Sequence, residues 1–158
     1  YWTGDLHEVQ RTYFALLAKS AETGLFDSLA HPDLIKNFTS DAWQPAMILD
    51  DIRLSLDRIA RTGVAMELNT SGVNKKISEM NPFPEMLVEM NQRGIPVTIG
   101  ADAHVAERVG DGYETALELL AQSGYSHVSL FLDRQRHEIP IATALASLHD
   151  VVQPGLGT

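Results

Sequence analysis

Four stretches of helical periodicity in this chain each stop at a glycine, and a short apolar run begins within three residues of each stop. Leu6, Val9, Tyr13, Leu16 and Leu17 recur at helical spacing up to about Thr23, and Gly24 ends that run. The strand-like "LFDSLA" (25–30) follows. Ser40 or Asp41 can cap a long helix reaching about Arg61, with a stripe of Leu49, Ile52, Leu56 and Ile59, and Gly63 closes it. "VAMELN" (64–69) is the next strand, and "TSGVNKKISEMN" is a polar loop. Asn81 is expected to cap a helix with Pro82 at its first position, closed by Gly94, before the strand "PVTIGA" (96–101). A helix from about Asp111 to Ser123, then Gly124 and "HVSLFL" (127–132), complete the series. "DRQRH" reads as a turn, "EIPIA" can pair back, and a short helix near 142–149 leads into a Pro/Gly-rich tail.

Repeated helix–strand units predict an α/β fold with a parallel sheet, barrel-like or open. In both architectures function gathers at the carboxyl ends of the strands. The 158 residues suit a single domain, or a fragment of one, spanning 1–158. With no cysteine, disulfides, thiolate zinc sites and cysteine nucleophiles are excluded. A metal would have to be held by His, Asp or Glu, a donor set suited to Zn, Mn, Fe or Mg. The net charge of −9 argues against nonspecific binding of nucleic acid or anionic membrane. It leaves room for a small anionic substrate, because a metal reverses the local field. No run approaches the ~20 apolar residues of a membrane span and no signal peptide is recognisable, so a cytoplasmic location is expected.

Three apolar runs end in polar residues: His31, then Glu67 with Asn69, then Asp102 with His104. In an extended strand, Asp102 and His104 share a face and can converge on a metal. Alternatively, Asp102 caps the following turn and His104 is simply exposed. His31 is either a ligand or part of a His-Pro-Asp strand-to-turn punctuation, with Pro32 expected to keep it extended. Asp33 can cap a turn through Ile35 and Lys36, or orient a histidine from behind. Glu67 needs a partner if buried, either a metal or a structural Arg or Lys. Asn69 can bind substrate or cap its loop. Lys36, Lys75, Lys76 and Arg108 lie in loops where a phosphate could be met, with Arg108 the favoured candidate. His7, His127, His137 and His149 read as surface residues, and Trp2 and Trp43 as packing or interface residues.

The phrases "LFDSLAHPDLIKNF", "MELNTSGVNKK", "GIPVTIGADAHVAERVGDGYETALELLAQSGY" and "VSLFLDRQRHEIPI" together resemble the C-terminal half of the histidinol-phosphate phosphatases. These belong to the polymerase-and-histidinol-phosphatase (PHP) superfamily. The resemblance spans roughly 6–141. It implies a distorted seven-stranded β/α barrel with a trinuclear site of divalent Zn, Mn or Fe. It also implies hydrolysis of L-histidinol phosphate, a small phosphorylated substrate, to histidinol and phosphate. His31 matches the histidine before Pro-Asp, and Asp102 and His104 match the terminal Asp-x-His; all three are metal ligands in the family. Arg108 and Asn69 are the candidates for phosphate or substrate, and Asp33 and Glu67 for positions behind the ligands. Such sequences open with a strand bearing His-x-His, which appears nowhere here. The chain is therefore expected to be a C-terminal portion that supplies part of the ligand set. Self-association, or association with the missing part, would cover its open sheet edge. The alternatives are a PHP phosphoesterase with another substrate, and a noncatalytic fragment or interaction module lacking a full metal site.

Overall fold

A computed structural model describes residues 4–150. Trp2 and the Pro/Gly-rich tail lie outside them. Helix α1 (Leu6–Glu22) starts at Asp5, whose Oδ1 accepts the His7 amide at 2.9 Å. Its buried stripe is Gln10, Phe14, Ala18 and Ala21. That stripe is rotated from the expected one, and Leu16 is left 54% exposed. Small residues at 18 and 21 let α1 pack closely against α3 (Leu49–Ala60). The α3 helix buries Ile52, Leu56 and Ile59, as its periodicity predicts.

The long helix expected from Ser40 does not form. Residues 40–47 make two short 3₁₀ turns, Ser40–Ala42 and Pro45–Met47, and α3 begins only at Leu49. Pro45 is the cause. It has no N–H to donate, and it forces Gln44 out of the helical region, to φ −136° and ψ 86°. A four-residue helix, α2 (Ile35–Phe38), precedes these turns. Asn81 also departs from expectation. Its backbone exchanges two hydrogen bonds with Asn69, at 2.7 and 3.0 Å, so it extends a strand instead of capping a helix. Helix α4 (Pro84–Gln92) starts three residues later, with Pro84, not Pro82, at its first position.

Strands β1 (Ser28–Leu29), β2 (Ala65–Asn69) and β3 (Val97–Gly100) form a parallel sheet in the order β1-β2-β3. The register sets Ser28 beside Ala65, Glu67 beside Thr98 and Asn69 beside Gly100. Met66 and Leu68, pointing away from Glu67, enter a core with Phe14, Ile52, Leu56, Met86, Leu87 and Met90. After α5 (Tyr113–Gln122), strand β4 (His127–Leu132) does not join this sheet. It pairs antiparallel with β5 (Gln135–Pro140) through a two-residue turn, Asp133-Arg134, both at positive φ, and α6 (Ile141–Asp150) follows. The hairpin runs past the amino-terminal ends of the parallel strands. His127 lies beside Pro96 and Val97. At the tip, Arg134 grips Asp27 at 3.1 Å, and Arg136 donates to the Gly63 carbonyl at 3.2 Å. Among the described residues no helix is long and apolar enough to cross a membrane.

Candidate metal centre

The three parallel strands deliver their polar ends to one place. His31 follows β1, Glu67 and Asn69 lie in β2, and Asp102 follows β3. His31 Nε2 stands 3.4 Å from Asp102 Oδ2, and His31 Nδ1 lies 3.1 Å from Glu67 Oε2. Glu67 Oε2 also accepts the His31 backbone N–H at 3.0 Å and the Asn69 amide at 3.2 Å. Asn69 Oδ1 takes the Ser71 N–H at 3.0 Å and the Ser71 hydroxyl at 2.6 Å. The same hydroxyl oxygen is 3.3 Å from Asp102 Oδ2, which closes a circuit of five residues. Its single proton serves the shorter contact, leaving Asp102 Oδ2 lone pairs for another partner.

Two of these residues hold left-handed backbone. His31 has φ 51° and Asp102 φ 48°. The extended conformation expected of His31 before Pro32 is thus overturned. His and Asp are among the side chains that tolerate this region best, and non-glycine residues there concentrate at functional sites. The left-handed turn at Asp102 also breaks the expected strand geometry toward His104, since β3 ends at Gly100. His104 is 83% exposed, and its Nδ1–H donates to the Asp102 carbonyl at 2.8 Å. That bond fixes the tautomer and leaves Nε2 with a free lone pair. Burial acts to raise the Asp102 carboxyl. The His31 hydrogen bond and the positive fields of His31, His104 and Lys75 outweigh it, so its pKa falls below the ordinary value.

The pair fits a metal ion. Two bonds of about 2.0–2.2 Å meeting at a tetrahedral angle put their donor atoms about 3.4 Å apart. That matches the His31 Nε2 to Asp102 Oδ2 separation. Glu67 behind Nδ1 completes the carboxylate–histidine arrangement that orients metal-binding imidazoles. Among the described residues, however, no three His, Asp or Glu side chains converge closely enough to hold a metal.

The other candidates separate. Asp33 does not orient His31. It is fully buried, with Oδ2 2.9 Å from Lys36 Nζ and accepting the Phe83 N–H at 2.9 Å. Burial, opposed by Lys36, pushes its carboxyl up to about 6. Lys36 is fully buried too, donating to the Met80 carbonyl at 2.8 Å and pairing with Glu79 at 3.1 Å, so it is unavailable to a phosphate. Asn69 is enclosed and its amide is spent on Glu67 and Ser71, which removes it as a substrate contact. Glu67 has the His31 imidazole, not an Arg or Lys, as its side-chain partner. Arg108, 38% exposed, leans toward Asp111 at 3.4 Å, and Lys75 Nζ comes to 4.0 Å from Asp102 Oδ2. Trp43 packs edge-on against Phe83. Gly100 carried a signal that sequence reading missed: a Cβ there would overlap the Glu67 carboxylate.

No family model matches the chain. Among curated proteins it is 35% identical over 124 residues to a candidate histidinol-phosphatase of Deinococcus radiodurans, covering 78% of this chain and 46% of that one. It is 31% identical over 124 residues to the histidinol-phosphatase of Bacillus subtilis, covering 73% and 46%. The chain thus spans about half the length of the curated relatives it matches. Among solved structures, a candidate histidinol phosphatase of Listeria monocytogenes superposes with a TM-score of 0.60 at 25% identity, over 71% of this chain and 45% of that one. The histidinol phosphate phosphatase of Lactococcus lactis, solved with zinc, L-histidinol and phosphate, superposes with a TM-score of 0.73 at 20% identity, over 87% and 54%.

Proposed function

From a chain homologous to one part of the histidinol-phosphatases, we propose that it forms the C-terminal part of a metal-dependent phosphatase. In the complete protein the substrate is L-histidinol phosphate, and the three parallel strands belong to a closed β/α barrel. The observation that carries this is the His31–Asp102 pair, set at metal-chelating distance at the carboxyl end of the sheet and backed by Glu67. His31 Nε2, Asp102 Oδ2 and, once its exposed ring turns inward, His104 Nε2 would hold a divalent cation such as zinc. Bound there, the cation would supply an acidified water and neutralise charge on phosphoryl oxygens. Glu67 keeps the His31 ring in the ligating orientation. Lys75, 4.0 Å from Asp102 Oδ2, would bring positive charge to an arriving phosphate, and Arg108 in the loop after His104 is the second candidate. The relatives are about twice as long as the span they share with this chain, and further ligands are proposed to come from the rest of such a protein.

The complete protein loaded with zinc should release phosphate from L-histidinol phosphate in preference to other phosphomonoesters. His31→Ala and Asp102→Asn should each lose at least one bound metal and lower kcat by about 100-fold or more. Full turnover with unchanged metal content in both variants would overturn the assignment.

A further inference from the structure

His31 is the pivot of the centre, and its conformation is costly. A left-handed backbone disfavours a non-glycine residue by roughly 1–2 kcal/mol. Both peptide groups that flank it are held. The N–H ahead of it is taken by Glu67, a member of the circuit. The carbonyl after it accepts the Leu34 N–H at 3.1 Å and the Tyr13 hydroxyl at 2.7 Å. Tyr13 stands on α1, outside the circuit, half-buried and set edge-on against Phe14 at 5.6 Å, so its ring has little freedom.

We propose that Tyr13 is a positioning residue, whose hydroxyl pins the left-handed turn at His31 and so aims the imidazole at Asp102. Its link to metal binding rests on the cation site proposed above. The hydroxyl reaches neither a metal nor a substrate; it acts through the backbone of the ligand. Without it, the His31 carbonyl keeps only the bond from Leu34, and the residue relaxes toward negative φ. The Nε2 then leaves the chelating distance.

Tyr13→Phe removes the oxygen and little else. Tyr125→Phe is the matched control, because the Tyr125 hydroxyl donates to the Ile95 carbonyl at 3.0 Å, near the opposite end of β3. Two readouts are taken on the 158-residue protein. The first is the three-bond amide–Hα coupling of His31 with its backbone carbon shifts, which report φ without any metal. The second is zinc affinity by competition with a chromogenic chelator. Tyr13→Phe should move the His31 coupling away from its wild-type value and weaken zinc by about 10-fold or more. Tyr125→Phe should lower the melting temperature while leaving both readouts unchanged. A wild-type His31 coupling in Tyr13→Phe would overturn the inference. Should the 158-residue protein alone take no zinc, as a partial ligand set allows, the His31 coupling by itself decides the role of Tyr13.

Discussion

Gly100→Ala is a one-carbon change whose sign should depend on a residue in the neighbouring strand. Gly100 does not hold a positive φ, so alanine fits its backbone, and the loss of unfolded-chain entropy alone should stabilise by about 0.4–1 kcal/mol. A Cβ at this position overlaps Glu67 Oε1 and comes within 2.9 Å of its Cδ. The carboxylate, about 16% exposed, would have to withdraw. Withdrawal breaks its bonds from the His31 N–H and the Asn69 amide. Each charge-assisted bond is worth about 1.5–3 kcal/mol, and the enclosed Asn69 amide has no water to turn to. After partial recovery by solvent, Gly100→Ala should destabilise by about 2–3 kcal/mol. In a Glu67→Ala background the same change should be neutral or stabilise by about 0.5 kcal/mol. Urea denaturation of the four proteins in the double-mutant cycle measures the coupling, expected near 3 kcal/mol. Equal effects of Gly100→Ala in both backgrounds would refute the account of why a glycine stands there.

The buried charges outside the centre give two further tests. Lys36→Met should cost about 3–5 kcal/mol at pH 8 by stranding the Asp33 carboxylate, and less at pH 5, where Asp33 can take a proton; a loss independent of pH by denaturant titration would contradict this. In the wild type, the folded-state pKa of Asp33, about 6, lies above its unfolded value of about 3.9. Its contribution to stability is therefore complete below about pH 4 and is lost as the pH rises through about 6, by roughly 3 kcal/mol at most. Asp33→Asn should abolish that part of the pH dependence, and parallel stability curves for the two proteins would disprove it.

The elements legible in the sequence were those fixed by local pattern. The helix stops at Gly24, Gly63, Gly94 and Gly124 all hold positive φ, as a closing residue does. The apolar runs after the first three became the parallel sheet, and the polar ends of those runs met. What escaped was set by contacts distant in the chain or by backbone conformation. Asn81 is claimed by the Asn69 backbone before it can cap anything. Lys36 read as a loop cation that could meet a phosphate, yet it is buried because Asp33, Glu79 and the Met80 carbonyl close around it. β4 continued the repeat in its apolar pattern and the turn after it was legible, but its place outside the parallel sheet was not. The left-handed turns at His31 and Asp102 have no signature in side-chain periodicity, which is why strand logic misplaced His104.

The β4–β5 hairpin divides the molecule's labour between two poles. Arg134 on Asp27 and Arg136 on the Gly63 carbonyl tie down the strand starts, far along the sheet from His31 and Asp102. Mutational drift in the loops of one pole leaves the anchorage of the other untouched. For the experimenter, a label beside the hairpin tip would report on the Arg134–Asp27 anchorage without touching His31 or Asp102.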